Sequence, residues 1–150
     1  SKVAQNQPID LREAVTKAVR RCGAGKPVPT IRVGEEPLPV LADQERLITV
    51  FEHLIRNAQD ATDADGEIEV SAETANGTIK VSIRDSGDGM SPEFVRERLF
   101  RPFDSTKGSQ SLGIGAYQAR DYVRTLGGRM DVSSVAKHGT TFTIHVPTAD

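Results

Sequence analysis

The sequence predicts an α+β fold, a two-layer α/β sandwich in which a mixed, mostly antiparallel sheet carries helices on one face. Two blocks of alternation and one helical periodicity predict it. In the first block Ile68, Val70 and Ala72 alternate with polar residues, Asn76-Gly77 supplies a tight turn, and Ile79, Val81 and Ile83 alternate on the return. The second pairs Met130 to Val135 with Thr140 to Val146, alternating through Phe142, Ile144 and Val146. Around these blocks stand stretches with apolar residues at helical spacing, the longest opening at Asp43. Strands and helices with one apolar side each share a single buried interface.

The elements follow in order. Asp10-Leu11-Arg12-Glu13 reads as a capping box opening a helix to about Arg21, ended by Gly23 to Lys26. Thr30 to Val33 and Leu38 to Leu41 are short apolar segments among prolines, which suits edge strands. Asp43 caps a helix reaching about Thr62. On a wheel of about 100° per residue, Leu47, Val50, Phe51, Leu54, Ile55, Ala58 and Ala61 share one arc, with Glu52, Arg56 and Gln59 opposite. Ser91-Pro92 is an N-cap followed by an N1 proline, starting a short helix to about Phe100. Arg101 to Ser111 is a polar, glycine-containing loop. A helix from about Ile114 to Leu126 gathers Ala116, Ala119, Tyr122, Val123 and Leu126 on one side, and Gly127-Gly128 stops it.

Composition bounds the function. The 150 residues make one domain, 1–150, a length that buries roughly 68–70% of the unfolded surface without a disulfide or metal staple. A net charge of −2 argues against general nucleic-acid or anionic-membrane binding. Cys22 is the only cysteine, which excludes an internal disulfide and suits a reducing, cytoplasmic compartment. No apolar stretch approaches the ~20 residues of a membrane span. The chain opens at Ser1 rather than Met, and is expected to be a segment of a longer one.

Three constellations carry chemistry. Asp85-Ser86-Gly87-Asp88-Gly89-Met90 follows the alternating run Thr78 to Arg84. A carboxylate at a strand end accepts a hydrogen bond from an exocyclic amine such as adenine N6, and Gly87 and Gly89 let backbone approach a flat ring. The plain alternative is an Asp-Gly turn. On the long helix His53, Asn57 and Asp60 form a polar stripe at the border of the apolar arc, where a side chain can face a cleft. The Asn57 amide oxygen suits a hard ion such as Mg²⁺, although solvated helix residues would show the same spacing. Finally, Phe100 to Gly108 runs on through Leu112-Gly113-Ile114-Gly115 into a helix. Backbone N–H groups at such a start bind phosphate, Lys107 adds charge, and Ser105 and Thr106 add hydroxyls. No strand leads into Gly113-Ile114-Gly115 and Gln118 stands in place of a third glycine, so it is no Rossmann signal. No Gly-x-x-x-x-Gly-Lys-Ser/Thr occurs either. A surface loop before a glycine-started helix is the alternative.

In this order the pieces resemble the GHKL ATPase superfamily (gyrase, Hsp90, MutL and histidine kinases), specifically the catalytic ATP-binding domain of bacterial sensor histidine kinases. Leu54 to Ala61 resembles the N box, Asp85 to Gly89 the G1 box, and Phe100 to Phe103 with Ser105-Thr106-Lys107 the F box. Gly113-Ile114-Gly115 resembles the G2 box and Gly139 to Thr143 the final threonine motif. The resemblance covers about Asp10 to Pro147. The wording of Arg56 to Ala61 and of Gly113 to Tyr117 is most similar to kinases linked with exosortase (PEP-CTERM) systems.

The resemblance implies a Bergerat-type sandwich and a flexible ATP lid from Phe103 to Leu112. It implies that Asp85 binds the adenine amine, that Gly87 and Gly89 shape the base pocket, and that Thr141 supports it. Asn57 would hold Mg²⁺ on the triphosphate of ATP; Thr106, Lys107 and the amides near Gly113 and Gly115 would contact its phosphates. Asp60, Ala61, Met90, Leu112 and Ile114 complete the implied nucleotide site, and His53 with Asn57 takes the catalytic positions. There are three departures. His53 stands where hydrolysing relatives place a water-activating glutamate and many histidine kinases an asparagine. Asp60 replaces a common lysine, and Ser111 a common glycine. Phosphotransfer needs the γ-phosphoryl group positioned more than it needs water activated, so His53 fits a kinase better than a hydrolase.

The implied acceptor histidine lies elsewhere. His53 belongs to the N box, His138 to a predicted turn and His145 to the last strand, and none is followed by an acidic residue. A dimerisation and acceptor domain of the same protein is therefore the expected partner, with a response regulator downstream. This domain is expected to be monomeric alone, within a homodimeric kinase whose other parts could anchor it in the inner membrane. An ATP-driven clamp, an anti-sigma-type serine kinase and a nucleotide-responsive module without transfer are the alternatives.

Overall fold

The computed structural model describes residues 6–100 and 115–149. Among these residues, seven strands and four helices run in the order β1 (Gln7–Asp10), α1 (Leu11–Arg21), β2 (Thr30–Val33), β3 (Pro39–Ala42), α2 (Gln44–Ala61), β4 (Ile68–Ala75), β5 (Thr78–Asp85), α3 (Pro92–Glu97), α4 (Ala116–Thr125), β6 (Arg129–Val135) and β7 (Gly139–Pro147). Five strands form the main sheet in the order β2-β4-β5-β7-β6. All its pairs are antiparallel except β2 with β4. The expected sandwich is therefore present, its mixed character resting on that one parallel edge.

Register explains the single buried face. Val70, Ile83, Phe142 and Val132 lie side by side across four strands, with Ala72, Val81, Ile144 and Met130 in the next row. Most of these are buried and the intervening residues are polar. Burying a Leu, Ile or Phe contributes about 1.5–3 kcal/mol each, so a slipped strand, which would turn its whole set outward, is strongly disfavoured. Asn76 (φ 56°) and Gly77 (φ 76°) form the predicted hairpin turn. Against the apolar face pack Leu11, Val15, Leu47, Phe51, Leu54 and Val123 of the helices.

Several expectations need correction. Leu38 to Leu41 does supply an edge strand, but β3 pairs with the unforeseen β1 in a separate two-stranded sheet. The Asp10 cap bonds the Arg12 N–H at 3.0 Å and also the Leu38 N–H at 2.9 Å, so the helix start is tied to β3. The short helix α3 stops at Glu97 rather than Phe100. On α2, Ile48 is buried and Ala61 only half-buried, because α1 packs along the flank and extends the covered arc past the wheel's prediction. For the same reason Gln59 does not face solvent: its Nε2 donates to the carbonyls of Cys22 and Pro27 at 3.0 and 3.2 Å. Tyr122 of α4 accepts the Asp43 N–H at 3.0 Å, fixing the start of α2 against α4. Among the described residues, no helix is long and apolar enough to cross a membrane.

Candidate functional site

The end of β5 meets the end of α2, and of the predicted residues Ala61, Asp85, Gly87, Gly89 and Met90 lie at that junction, with Asn57 one turn back along α2. Asp85 is the last residue of β5 and is 6% exposed. Its Oδ1 accepts from Gly87 N at 2.9 Å and from Thr140 N at 3.3 Å, whereas among the described residues Oδ2 takes no donor. Burial pushes the Asp85 carboxyl above the usual aspartate range; the two N–H groups pull the other way, and the charge of Asp88 adds a smaller push. One oxygen is thus committed to holding the loop and the other is left to accept.

The loop after Asp85 is clamped from both sides. On one side Asp88 N donates to the Ala61 carbonyl at 3.0 Å, at the last turn of α2. On the other, Met90 N donates to Ser134 Oγ at 2.7 Å and Lys137 N to the Asp88 carbonyl, from β6 and the turn beyond it. The glycines belong to this clamp. A Cβ on Gly87 would collide with the Ala61 carbonyl oxygen, and one on Gly89, at φ +70°, with that of Val135. The sequence suggested that these glycines clear space for a ring; their immediate demand is close approach to the protein's own backbone.

Asn57 lies one helical turn before Ala61. It is 4% exposed, and both Oδ1 and Nδ2 are buried without a hydrogen-bond partner among the described residues. Leaving such groups unpaired costs about 1–3 kcal/mol each. Thr62, also buried, has an Oγ1 beneath Gly87 that lacks a partner among the described residues. The amide oxygen of Asn57 is a hard donor already stripped of water, which fits Mg²⁺ bound on phosphate oxygens.

His53 is half-buried. It lines a cavity of about 280 Å³ between α2 and α4 with Arg46, Thr49, Tyr117 and Asp121. Its Nδ1 stands 3.3 Å from where a Cβ on Gly115 would be, so His53 and Gly115 are brought together as predicted members of one site. Gly115, at the start of α4, has helical backbone angles and makes no side-chain cap bond.

Two predicted residues fall elsewhere. Asp60 is exposed, because the step of about 300° from Asn57 turns it away from the covered arc. Thr141 points to the polar face of the sheet, whereas Thr140, directly across from Asp85 in the register, is the buried threonine. Strand alternation counted back from Phe142 already carried that signal. Thr106, Lys107, Leu112, Gly113, Ile114 and Ser111 lie outside the described residues.

A half-committed carboxylate and a buried amide without a partner among the described residues, at the meeting of β5 and α2, have the chemistry of a nucleotide site. Residues 42–150 match the family of histidine kinase-, DNA gyrase B- and HSP90-like ATPases, and the chain belongs to that family. Membership carries ATP binding with it. The chain is 32% identical over 146 residues to the sensor histidine kinase ZraS of Klebsiella oxytoca, covering 94% of this chain and 31% of that protein. It is 34% identical over 149 residues to the C4-dicarboxylate transport sensor protein DctB of Rhizobium meliloti, covering 95% and 23%. It thus spans between about a quarter and a third of the length of these relatives. In fold it is similar to the catalytic domain of the histidine kinase ThkA, with a TM-score of 0.82 at 24% identity and 95% of each chain covered. Full-length ShkA in complex with AMPPNP gives a TM-score of 0.81 at 22% identity, covering 99% of this chain and 32% of that one.

Proposed function

We propose that this domain binds Mg²⁺-ATP and delivers the γ-phosphoryl group to a histidine on a separate dimerisation domain of the longer protein. A response regulator then receives the group in two-component signalling. The observation that carries the proposal is Asn57, an amide buried with both polar atoms lacking a partner among the described residues, one turn from the end of α2 that holds the Asp85 loop. Such an arrangement is suited to a polar ligand that supplies the missing partners.

In this reading the residues divide the nucleotide. Asp85 Oδ2 accepts from the adenine amine while Oδ1 keeps the loop in place through Gly87 and Thr140. Asn57 holds Mg²⁺, which when bound neutralises charge on the phosphates. Gly115, beside His53 at the start of α4, lies toward the phosphate end, with Thr106 and Lys107 as further contacts. Catalysis of this kind is mainly positioning and charge neutralisation. His53 supplies no carboxylate to activate water, which favours transfer to a protein over hydrolysis. The relative named as a sensor histidine kinase, ZraS, supports the same direction. The exosortase-linked context suggested by the N-box wording is checked by the genes flanking this one.

Mixing the domain with a separately made dimerisation domain and γ-labelled ATP tests the proposal. Acid-labile phosphohistidine on the added domain is the expected product. Acid-stable phosphoserine on an added anti-anti-sigma protein, free phosphate alone, or nucleotide binding without transfer would each overturn it.

A further inference from the structure

We infer that Ser134 is a positioning residue for base recognition, its hydroxyl setting the hydrogen-bonding polarity of Thr140 beside Asp85. The inference rests on the adenine reading of Asp85 given above. Ser134, Thr140 and Asp85 form one row across β6, β7 and β5, Ser134 opposite Thr140 and Thr140 opposite Asp85. Ser134 shares the helix-bearing face with Met130 and Val132.

The proton count decides the arrangement. Ser134 Oγ lies 2.7 Å from Met90 N, 2.8 Å from Thr140 Oγ1 and 3.2 Å from the Gly139 carbonyl oxygen. A hydroxyl has one proton to donate and two lone pairs to accept with. The Met90 N–H occupies one lone pair. When Ser134 donates to Gly139, its second lone pair receives the Thr140 proton, and all three contacts are made at once. When Ser134 donates to Thr140 instead, the Gly139 contact is lost. The first arrangement satisfies more groups and is the one assigned.

Its consequence lies at the pocket. Thr140 has spent its proton on Ser134, so its oxygen presents only lone pairs next to Asp85, whose free Oδ2 is also an acceptor. Two adjacent acceptors match a ligand edge that brings protons, directly or through a water. They mismatch a carbonyl in the same place, because buried acceptors facing an acceptor lose their partners. The row therefore selects a 6-aminopurine over a 6-oxopurine. Ser134 does this without touching the base, and its hold on Met90 keeps the far end of the loop in register.

Calorimetry with ATP and inosine triphosphate, which carries oxygen in place of the amine, tests the inference. The wild-type domain should prefer ATP. Ser134→Ala should weaken ATP by about three- to tenfold and narrow the ATP-to-inosine-triphosphate ratio by a similar factor, because Thr140 regains a proton to donate. Ser134→Thr should keep both values, and Asn57→Ala should weaken both nucleotides alike. An unchanged ratio in folded Ser134→Ala, or equal loss of both nucleotides, overturns the inference. Should Ser134→Ala not fold, Ser134→Cys, a weak donor and acceptor, must show the same narrowing. A ratio that collapses in Asp85→Asn but holds in both Ser134 variants leaves the adenine reading standing and removes Ser134 from it. A wild-type domain without preference removes both.

Discussion

Replacing Asp85 with asparagine separates recognition from folding. The amide oxygen introduced by Asp85→Asn can still accept from Gly87 and Thr140 N–H, so the loop keeps its anchors. What is lost is the negative charge and the second acceptor. A charge-assisted hydrogen bond to the base is worth about 1–3 kcal/mol, which is a weakening of roughly fivefold to 150-fold in ATP affinity. Stability should move the other way. Burial raises the Asp85 pKa in the folded state, so folding favours the protonated form. Its contribution to stability is therefore fully present below the unfolded aspartate value of about 3.9 and is lost as pH rises through the higher folded value. At neutral pH the ionised carboxylate costs stability, and Asp85→Asn should melt at the same temperature as wild type or higher. The gap should close as the buffer is taken below about pH 4. Calorimetric titration with ATP near neutral pH, beside thermal melts across the acid range, measures both. An Asp85→Asn domain that binds ATP undiminished refutes the adenine role. One that melts well below wild type at neutral pH shows the carboxylate to be a structural hub instead.

The remaining predictions address the other parts of the site. Asn57→Ala should abolish the Mg²⁺ dependence of ATP affinity while leaving the nucleotide-free melting temperature unchanged or raised, since it removes two unpartnered buried atoms; titrations with and without Mg²⁺ check this, and retained dependence moves the metal to another residue. Gly87→Ala should destabilise the fold by about 1–3 kcal/mol in urea titrations, because its methyl group meets the fixed Ala61 carbonyl; an unchanged midpoint would show that the loop yields freely. His53→Glu should raise ATP hydrolysis, on the order of tenfold or more, without raising phosphotransfer to the acceptor domain. Phosphate release that stays flat would mean that this position does not face the attacking water.

Much of the site was legible because its residues break the local pattern. Asp85 interrupts the apolar phase Ile79, Val81, Ile83, on the face that elsewhere is hydrophobic, and its burial follows from that phase alone. Asn57 borders an apolar arc, but no wheel tells that it is buried more completely than Ala61, which the arc included. That difference comes from tertiary covering, which sequence spacing does not encode. β1 was illegible for a related reason. Gln7-Pro8-Ile9-Asp10 holds one half-buried apolar residue, and only pairing with β3 makes it a strand. Ser134 gave no signal at all, since a serine near the end of an edge strand gains its meaning from Met90 and Thr140, which lie far from it in sequence or across a turn.

The buried exceptions also bear on what the fold is for. An apolar residue at position 57 would remove two atoms that lack partners among the described residues, each costing about 1–3 kcal/mol, on the scale of a domain whose whole stability is about 5–15 kcal/mol. An uncharged residue at position 85 would avoid the desolvation that raises that carboxyl. Both costs lie beside one loop, which is clamped on both sides by hydrogen bonds that leave Asp85 Oδ2 and, among the described residues, the Asn57 amide without a partner. Stability alone would not place two such penalties together on so firmly held a frame. A ligand that brought a proton donor to one and an oxygen-seeking cation to the other would offset both, and under the proposed function an amino-purine triphosphate with its metal would supply that pairing.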